Sequence, residues 1–269
     1  MDSEPPAAGI DVSKPHPARR YDYWLGGKNN FPADRASADV VAEAFPTIRL
    51  AALENRSFLR RAVDYLAEAG VRQFLDIGTG LPTAGNVHEI AQSIAPESRV
   101  VYVDNDPIVL LHARELLDSS PEGATAYLDA DVRDPADILR KLDESRMLDL
   151  DRPVALMLVA IMHFITDDAS PYELVRTLCD ALPSGSYLVM SHATSDHMSA
   201  EELADTNAAN QRSGVPFRLR TTEEFARFFT GLDLVSPGVG SVMAWRPGEW
   251  RPHPRPEAVA MLGAVARIP

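Results

Sequence analysis

Cysteine is almost missing from this sequence: Cys179 stands alone among 269 residues. One thiol excludes an internal disulfide and a cysteine-rich zinc site, and it fits a reducing cytoplasm. Positive charge is also in deficit, with 26 basic residues against 39 acidic ones and a net charge of −13. That balance excludes broad attraction of the whole surface to nucleic acid or to an anionic membrane. No apolar run reaches the ~18 residues that a membrane span needs. The opening stretch, "MDSEPPAAGIDVSKP", lacks the basic and apolar regions of a secretory signal.

What remains is a globular composition, 45% hydrophobic, long enough for one large domain or two small ones. Residues 1–18 are rich in Pro and Ala, which predicts disorder up to about Asp11. "YDYWLGGKNNFPADR", residues 21–35, follows with four aromatics, paired glycines and paired asparagines. Such density of Gly, Asn and Pro fits no long helix or strand and marks a segment that closes over something. "ADRASADVVAEAF" and "TIRLAALENRSFLRRAVDYLAEAG" read as helices, the second with Leu59, Val63 and Leu66 at helical spacing and Gly70 as its terminal cap.

The period then changes. "RQFLDIG", "RVVYVDND", "ATAYLDAD", "PVALMLVAI" and "GSYLVMS" are short apolar runs, the pattern of a parallel sheet buried on both faces. Helices lie between them. Asn86 with Glu89, "SPYE" at 170–173 and "TTEE" at 221–224 are predicted capping boxes, and Asp106 a predicted cap before Pro107. "DLVSPGV" and "MLGAVARI" supply two more strands. The fold class is therefore α/β: a doubly wound, mostly parallel, seven-stranded Rossmann-like sheet with an N-terminal helical cap. The expected division is 1–70 as tail, lid and helical cap and 71–269 as the Rossmann-like domain, together one compact unit.

The strongest motif is "FLDIGTGLPTAGN", residues 74–86, which leaves a buried strand and enters a helix. Gly78 and Gly80 allow a sharp turn and a ligand lying on bare peptide. A tight strand-to-helix turn alone would also use them, but three acids sit at matching places. Asp76 ends the first strand, Asp104 ends the second, 24 residues past Gly80, and Asp131 follows the third. An acid at the second position can bind a ribose diol. Asp76 favours S-adenosylmethionine over a dinucleotide, because a carboxylate repels a pyrophosphate and attracts an ammonium.

"FLDIGTGLP", "VVYVDNDP" and "ADVRDP" resemble the first three motifs of class I S-adenosylmethionine-dependent methyltransferases. From "KPHPARRYDYWLGGKNNFPADR" through "SYLVMSHAT" the chain resembles a bacterial family of S-adenosyl methyltransferases, many of them filed as a domain of unknown function. The resemblance implies that Asp76, Gly78 and Gly80 hold the methionine moiety, Asp104 the ribose hydroxyls and Asp131 the adenine amino group. Asn105 and Val132 are neighbours. It names no substrate. Leu81 and Pro82 depart from the usual pattern, in which a third small residue follows the glycines.

Tyr21 and Tyr23 (with Trp24) are candidates to line the sulfonium, whose positive charge aromatic faces attract, or the acceptor. Hydrophobic packing as a plain cap is the competing reading of the same segment. Gly26 and Gly27 are candidates for a hinge or a close approach, and Asn29 and Asn30 for ligand contacts. His163, just past the fourth strand, is the candidate general base; a packed histidine at a helix start is the alternative. His192 is a weaker candidate. Asp131 can also cap the helix beginning in "RDPADILRKL". No metal site is expected: His192 and His197 lack a third ligand. There is no Asp/Asn-Pro-Pro-Tyr run, Cys179 falls in a predicted helix, and three lysines are too few for a Lys-Asp-Lys-Glu ribose methylation site. The expected activity is methyl transfer to a small-molecule acceptor. A silent cofactor-binding regulatory module and a nicotinamide-dependent oxidoreductase stay open as alternatives.

Overall fold

The computed structural model describes residues 11–82, 85–113, 119–247 and 255–269. The disorder expected for residues 1–10 lies outside them. Three helices come first: α1 Pro17–Trp24, α2 Pro32–Ala44 and α3 Ile48–Glu68. Strands and helices then alternate as β1 Gln73–Ile77, α4 Val87–Ile94, β2 Arg99–Asp104, α5 Pro107–Ala113, β3 Ala124–Asp129, α6 Pro135–Ser145, β4 Ala155–Val159, α7 Pro171–Asp180 and β5 Tyr187–Ala193. The chain closes with α8 Ala200–Arg212, α9 Thr222–Ala226, β6 Asp233–Leu234, β7 Gly240–Ser241, α10 Pro256–Val259 and β8 Met261–Arg267.

The sheet runs β3-β2-β1-β4-β5-β8-β6. β1 to β5 are parallel, and β8 enters antiparallel beside β5. The two short strands β6 and β7 share the outer edge of β8, so eight strands fill seven positions. Strand alternation sorts the core into two layers. Leu75, Ile77, Leu156 and Leu158 face α6 and α7, while Phe74, Ala155 and Met157 face α3. Both layers are solvent-free, which is why the strands read as unbroken apolar runs. Each such side chain contributes roughly 1.5–3 kcal/mol by leaving water.

Local signals set the helix ends. Val71 N–H donates to Leu66 O and Gly70 N–H to Ala67 O, a Schellman closure with Gly70 at φ +94°. The capping boxes of Asn86 with Glu89 and Thr221 with Glu224 form as predicted. The box predicted at "SPYE" does not form. Ser170 closes the preceding turn in the left-handed region (φ 49°), so its side chain makes no cap. Asp134, not Asp131, caps α6 by accepting from Asp137 N–H.

Candidate functional site

A cavity of about 390 Å³ opens over the carboxyl ends of β1 to β5, where doubly wound sheets bind ligands. One end is made by the strand-end acids and the glycine turn. Asp76, Gly78, Gly80, Asp104, Asn105, Asp131 and Val132 all line it. The pleat puts Asp76 on the same face as Phe74, toward α3, where Arg56 also lines the cavity. Burial pushes the Asp76 carboxyl up to about 7; Arg56 opposes that rise and Asp104 adds to it.

Asp104 shapes the turn itself. Its Oδ2 accepts from Gly80 N–H at 2.7 Å and its Oδ1 from Asp106 N–H at 3.0 Å. Burial raises this carboxyl, while the two N–H donors and His16 pull it back. Gly78 sits at φ +77°, and a β-carbon there would come within 2.1 Å of Ile161 Cδ1. Glycine is therefore required twice over at this position, by conformation and by space. Asp131 is held by its own neighbours. Arg133 donates from N, Nε and Nη2, and Asn105 Nδ2 donates at 2.8 Å. Burial would raise this carboxyl, but those donors outweigh it and hold it low.

The other end of the cavity is aromatic. His163, Phe164, Phe217, Trp24 and Arg20 line it, with Ile161 and Ala160 between the two ends. Ala160 closes β4 in the left-handed region (φ 58°), strain that a non-glycine residue tolerates only when its surroundings impose it. They do: Ala160 N–H donates to Ser191 Oγ, Ser191 Oγ–H donates to Asn55 Oδ1, and Asn55 Nδ2 donates to Tyr21 Oη. Tyr21 in turn donates to Ala52 O at 3.0 Å. The hydroxyl of Tyr21 is thus committed to Ala52 and Asn55 of α3, which line the same cavity.

Tyr23 is not part of this wall. It lies on the opposite side of α1, where its hydroxyl donates to Asp39 and Arg49 stacks on its ring. Helical spacing explains the split, since Arg20, Tyr21 and Trp24 share one side of α1. Of the glycine pair, Gly27 is a close approach, while Gly26 sits in the left-handed region (φ +82°) with open space around it. A β-carbon on Gly27 would overlap the Asp22 carboxylate, whose Oδ2 accepts from Asn29 N–H and Asn30 Nδ2. Asn30 is therefore used inside the segment and does not line the cavity. α1 is tied to the sheet by Arg19, whose Nε lies 3.3 Å from Asp106 and also 3.6 Å from Asp34 in α2.

His163 is buried among Phe164, Phe217 and His192, with ring centroids 4.4, 4.7 and 5.5 Å away. Its Nδ1 has no hydrogen-bond partner. Burial first, then His192, Arg20 and Arg220, pushes its pKa well below the usual histidine value. His192 belongs to the scaffold and not to the cavity wall. Its Nδ1 donates to Ala193 O and its Nε2 accepts from Arg220 Nη1 at 2.8 Å, and burial drives its pKa down to about 3. Arg220, fully buried, also donates to Met162 O, Ile165 O and Asp167, which pins the turn carrying His163. Among the described residues no group of His, Cys, Asp and Glu is placed to hold a metal ion. Nor is any described helix long and apolar enough to cross a membrane.

Sequence reading missed Arg20, Asn55, Arg56, Arg133 and Phe217. Arg20, on α1, was within reach as the one cation on the helix side shared by Tyr21 and Trp24. The others are brought in by tertiary packing and carry no local signal.

A family model described as S-adenosyl methyltransferase matches residues 3–269. A DUF574 family protein of Streptomyces avermitilis superposes with a TM-score of 0.92 at 50% identity, over 97% of this chain and 100% of that one. A candidate methyltransferase of Thermobifida fusca superposes with a TM-score of 0.90 at 43% identity, over 99% of each chain. The plantazolicin methyltransferase BamL, solved with a triazolic desmethylPZN analogue and S-adenosylhomocysteine, shares the fold at 14% identity and a TM-score of 0.50, over 93% of this chain and 95% of that one. No curated protein sequence matches. With nearly its whole length covered, the chain belongs to the S-adenosyl methyltransferase family, enzymes whose cofactor is S-adenosylmethionine.

Proposed function

We propose that this enzyme methylates a small-molecule acceptor seated beside His163. The observation that carries the reading is the two-ended cavity, in which an acid-lined end adjoins an aromatic end at Ile161. The residues at the first end fit the cofactor by their chemistry. Asp76 offers a buried carboxylate to an ammonium, Gly78 and Gly80 leave room for the methionine chain, Asp104 has acceptor oxygens for ribose hydroxyls, and Asp131 with Asn105 and Val132 meets the adenine. When bound, the cofactor supplies a methyl group already activated on a sulfonium. The protein's task is then to align the acceptor and keep water out. The Tyr21 ring offers a face to the positive charge. His163, neutral at pH 7, offers an imidazole lone pair to the acceptor's proton.

Incubation with methyl-tritiated S-adenosylmethionine and a fractionated cell extract tests the reading. Label is expected in the low-mass fraction, and H163A is expected to lose turnover by roughly 10²–10⁴-fold with S-adenosylhomocysteine affinity nearly unchanged. Cofactor binding without transfer to any acceptor, together with a stable protein partner, would replace it with the regulatory-module reading.

Asp76 gives a pH test. Between its ordinary value of 3.8 and about 7, the folded carboxyl holds a proton that the unfolded chain releases. Stability of the ligand-free protein should therefore fall as pH rises through that window and level off above it. An ammonium beside Asp76 favours the carboxylate, so S-adenosylhomocysteine binding near pH 7 should expel part of a proton. Calorimetry in buffers of different ionisation enthalpy reads that proton, and D76N should abolish it. Proton uptake, or no exchange, would remove Asp76 from the ammonium site.

A further inference from the structure

Arg20 is a buried cation of the cavity wall that the proposed chemistry leaves unused. It is 1% exposed, lines the cavity and lies under the Trp24 ring at 5.1 Å. Nη1 donates to Ser37 Oγ and Ser213 Oγ, at 3.3 and 3.0 Å. Nε is buried without any acceptor. Both partners are neutral hydroxyls, and among the described residues no carboxylate lies within 4.0 Å of the guanidinium. The neighbouring Arg19, whose Nε also lacks a hydrogen bond, differs in having the carboxylates of Asp34 and Asp106 within 4.0 Å. Asp34 is committed there and to the N–H groups of His16 and Phe31. A buried cation without an anion is costly, and its persistence points to a partner that arrives with the ligand.

We infer that the acceptor carries a carboxylate that pairs with Arg20 across the aromatic end of the cavity. The inference rests on the methyltransferase reading above and names the substrate class: an aromatic monocarboxylic acid. Trp24, Phe164 and Phe217 supply the apolar wall for the ring, and the guanidinium supplies planar donors for two carboxylate oxygens. A phosphate is disfavoured, because Asp76, Asp104 and Asp131 line the same cavity and oppose a doubly charged guest. Burial lowers the guanidinium pKa to about 10, with Asp34 opposing, so Arg20 stays charged at neutral pH.

The test begins with S-adenosylhomocysteine titrated into wild-type protein; failure to bind would overturn the methyltransferase reading and this inference with it. The saturated protein is then titrated with benzoate, phenylacetate and indole-3-acetate, and with their primary amides. The best acid is expected to bind about 10–100-fold tighter than its amide, the worth of a hydrogen bond to a charged group. R20M should erase that preference. It should also fold, because Ser37 Oγ–H still donates to Ser213 O and Ser213 Oγ–H to Asn210 O. Its melting temperature should match or exceed that of the wild type. Acids and amides bound equally by wild-type protein, no acid bound at about 10 mM, or phenyl phosphate preferred over every acid would each overturn the inference. The wild-type comparison decides the matter even where R20M does not fold.

Discussion

R220A is expected to lower stability by about 3–5 kcal/mol, a drop of roughly 10 °C in melting temperature. The magnitude comes from what the guanidinium leaves behind. Ile165 O and His192 Nε2 lose their donor in the interior, and Met162 O keeps only the N–H of Ile165. Each unsatisfied group costs about 1–3 kcal/mol, and the removed side chain leaves a cavity beneath Tyr172 and Phe228. Asp167 is 59% exposed, so solvent screens its side of the pair, and D167A leaves the guanidinium donating to Met162 O, Ile165 O and His192 Nε2. D167A should therefore melt above R220A but below the wild type, because the fully buried Arg220 keeps no anion among the described residues. Lysine cannot reproduce the fork, so R220K should recover little. Thermal melts at neutral pH check the series. Comparable losses in D167A and R220A would mean that the ion pair, and not the buried carbonyls, sets the cost.

D104A is expected to weaken S-adenosylhomocysteine binding by roughly 10–100-fold. Two effects contribute. The site would lose the contact proposed between this carboxylate and the ribose hydroxyls, and the glycine turn loses the clamp that Asp104 places on Gly80 N–H and Asp106 N–H. D104N separates charge from shape and should be nearly as poor as alanine. Both carboxylate oxygens accept backbone N–H groups here, and an amide NH₂ in either place would point a donor at a donor. Calorimetric affinities of the three proteins decide it. Wild-type affinity in D104A would remove Asp104 from the cofactor site.

The sheet was legible because its strands are buried on both faces, and continuous burial leaves unbroken runs such as "VVYV" and "ALMLV". The acids at the strand ends were legible because chain order fixes where a strand stops. Local chemistry announced the caps at Asn86, Asp106 and Thr221. Ser170 misled because the same Ser-x-x-Glu spacing serves a left-handed turn. Tyr23 misled because the Gly and Asn density of residues 26–30 hid an eight-residue helix before it. Once α1 is known to be helical, its spacing turns Tyr23 away from Tyr21. The aromatic end of the cavity was largely illegible. Phe217 reaches His163 from a loop after α8, and Asn55 reaches Ser191 across 136 positions. No window of sequence contains such pairs.

Arg20 and Ser213 are 193 residues apart, and that separation sets an order of assembly. α1 precedes every strand, so before the sheet exists it can pack only on α2 and α3. The ion pair of Arg19 with Asp106 can form only after β2 is made, and the contact of Arg20 with Ser213 only after α8. Closing so long a loop is entropically late, whereas neighbouring strands pair over shorter spans. The sheet and its two apolar layers can therefore consolidate first, with the N-terminal helix tethered and waiting. Ligand competence is thus acquired after the fold itself, in a final docking step by a helix that precedes every strand in the chain.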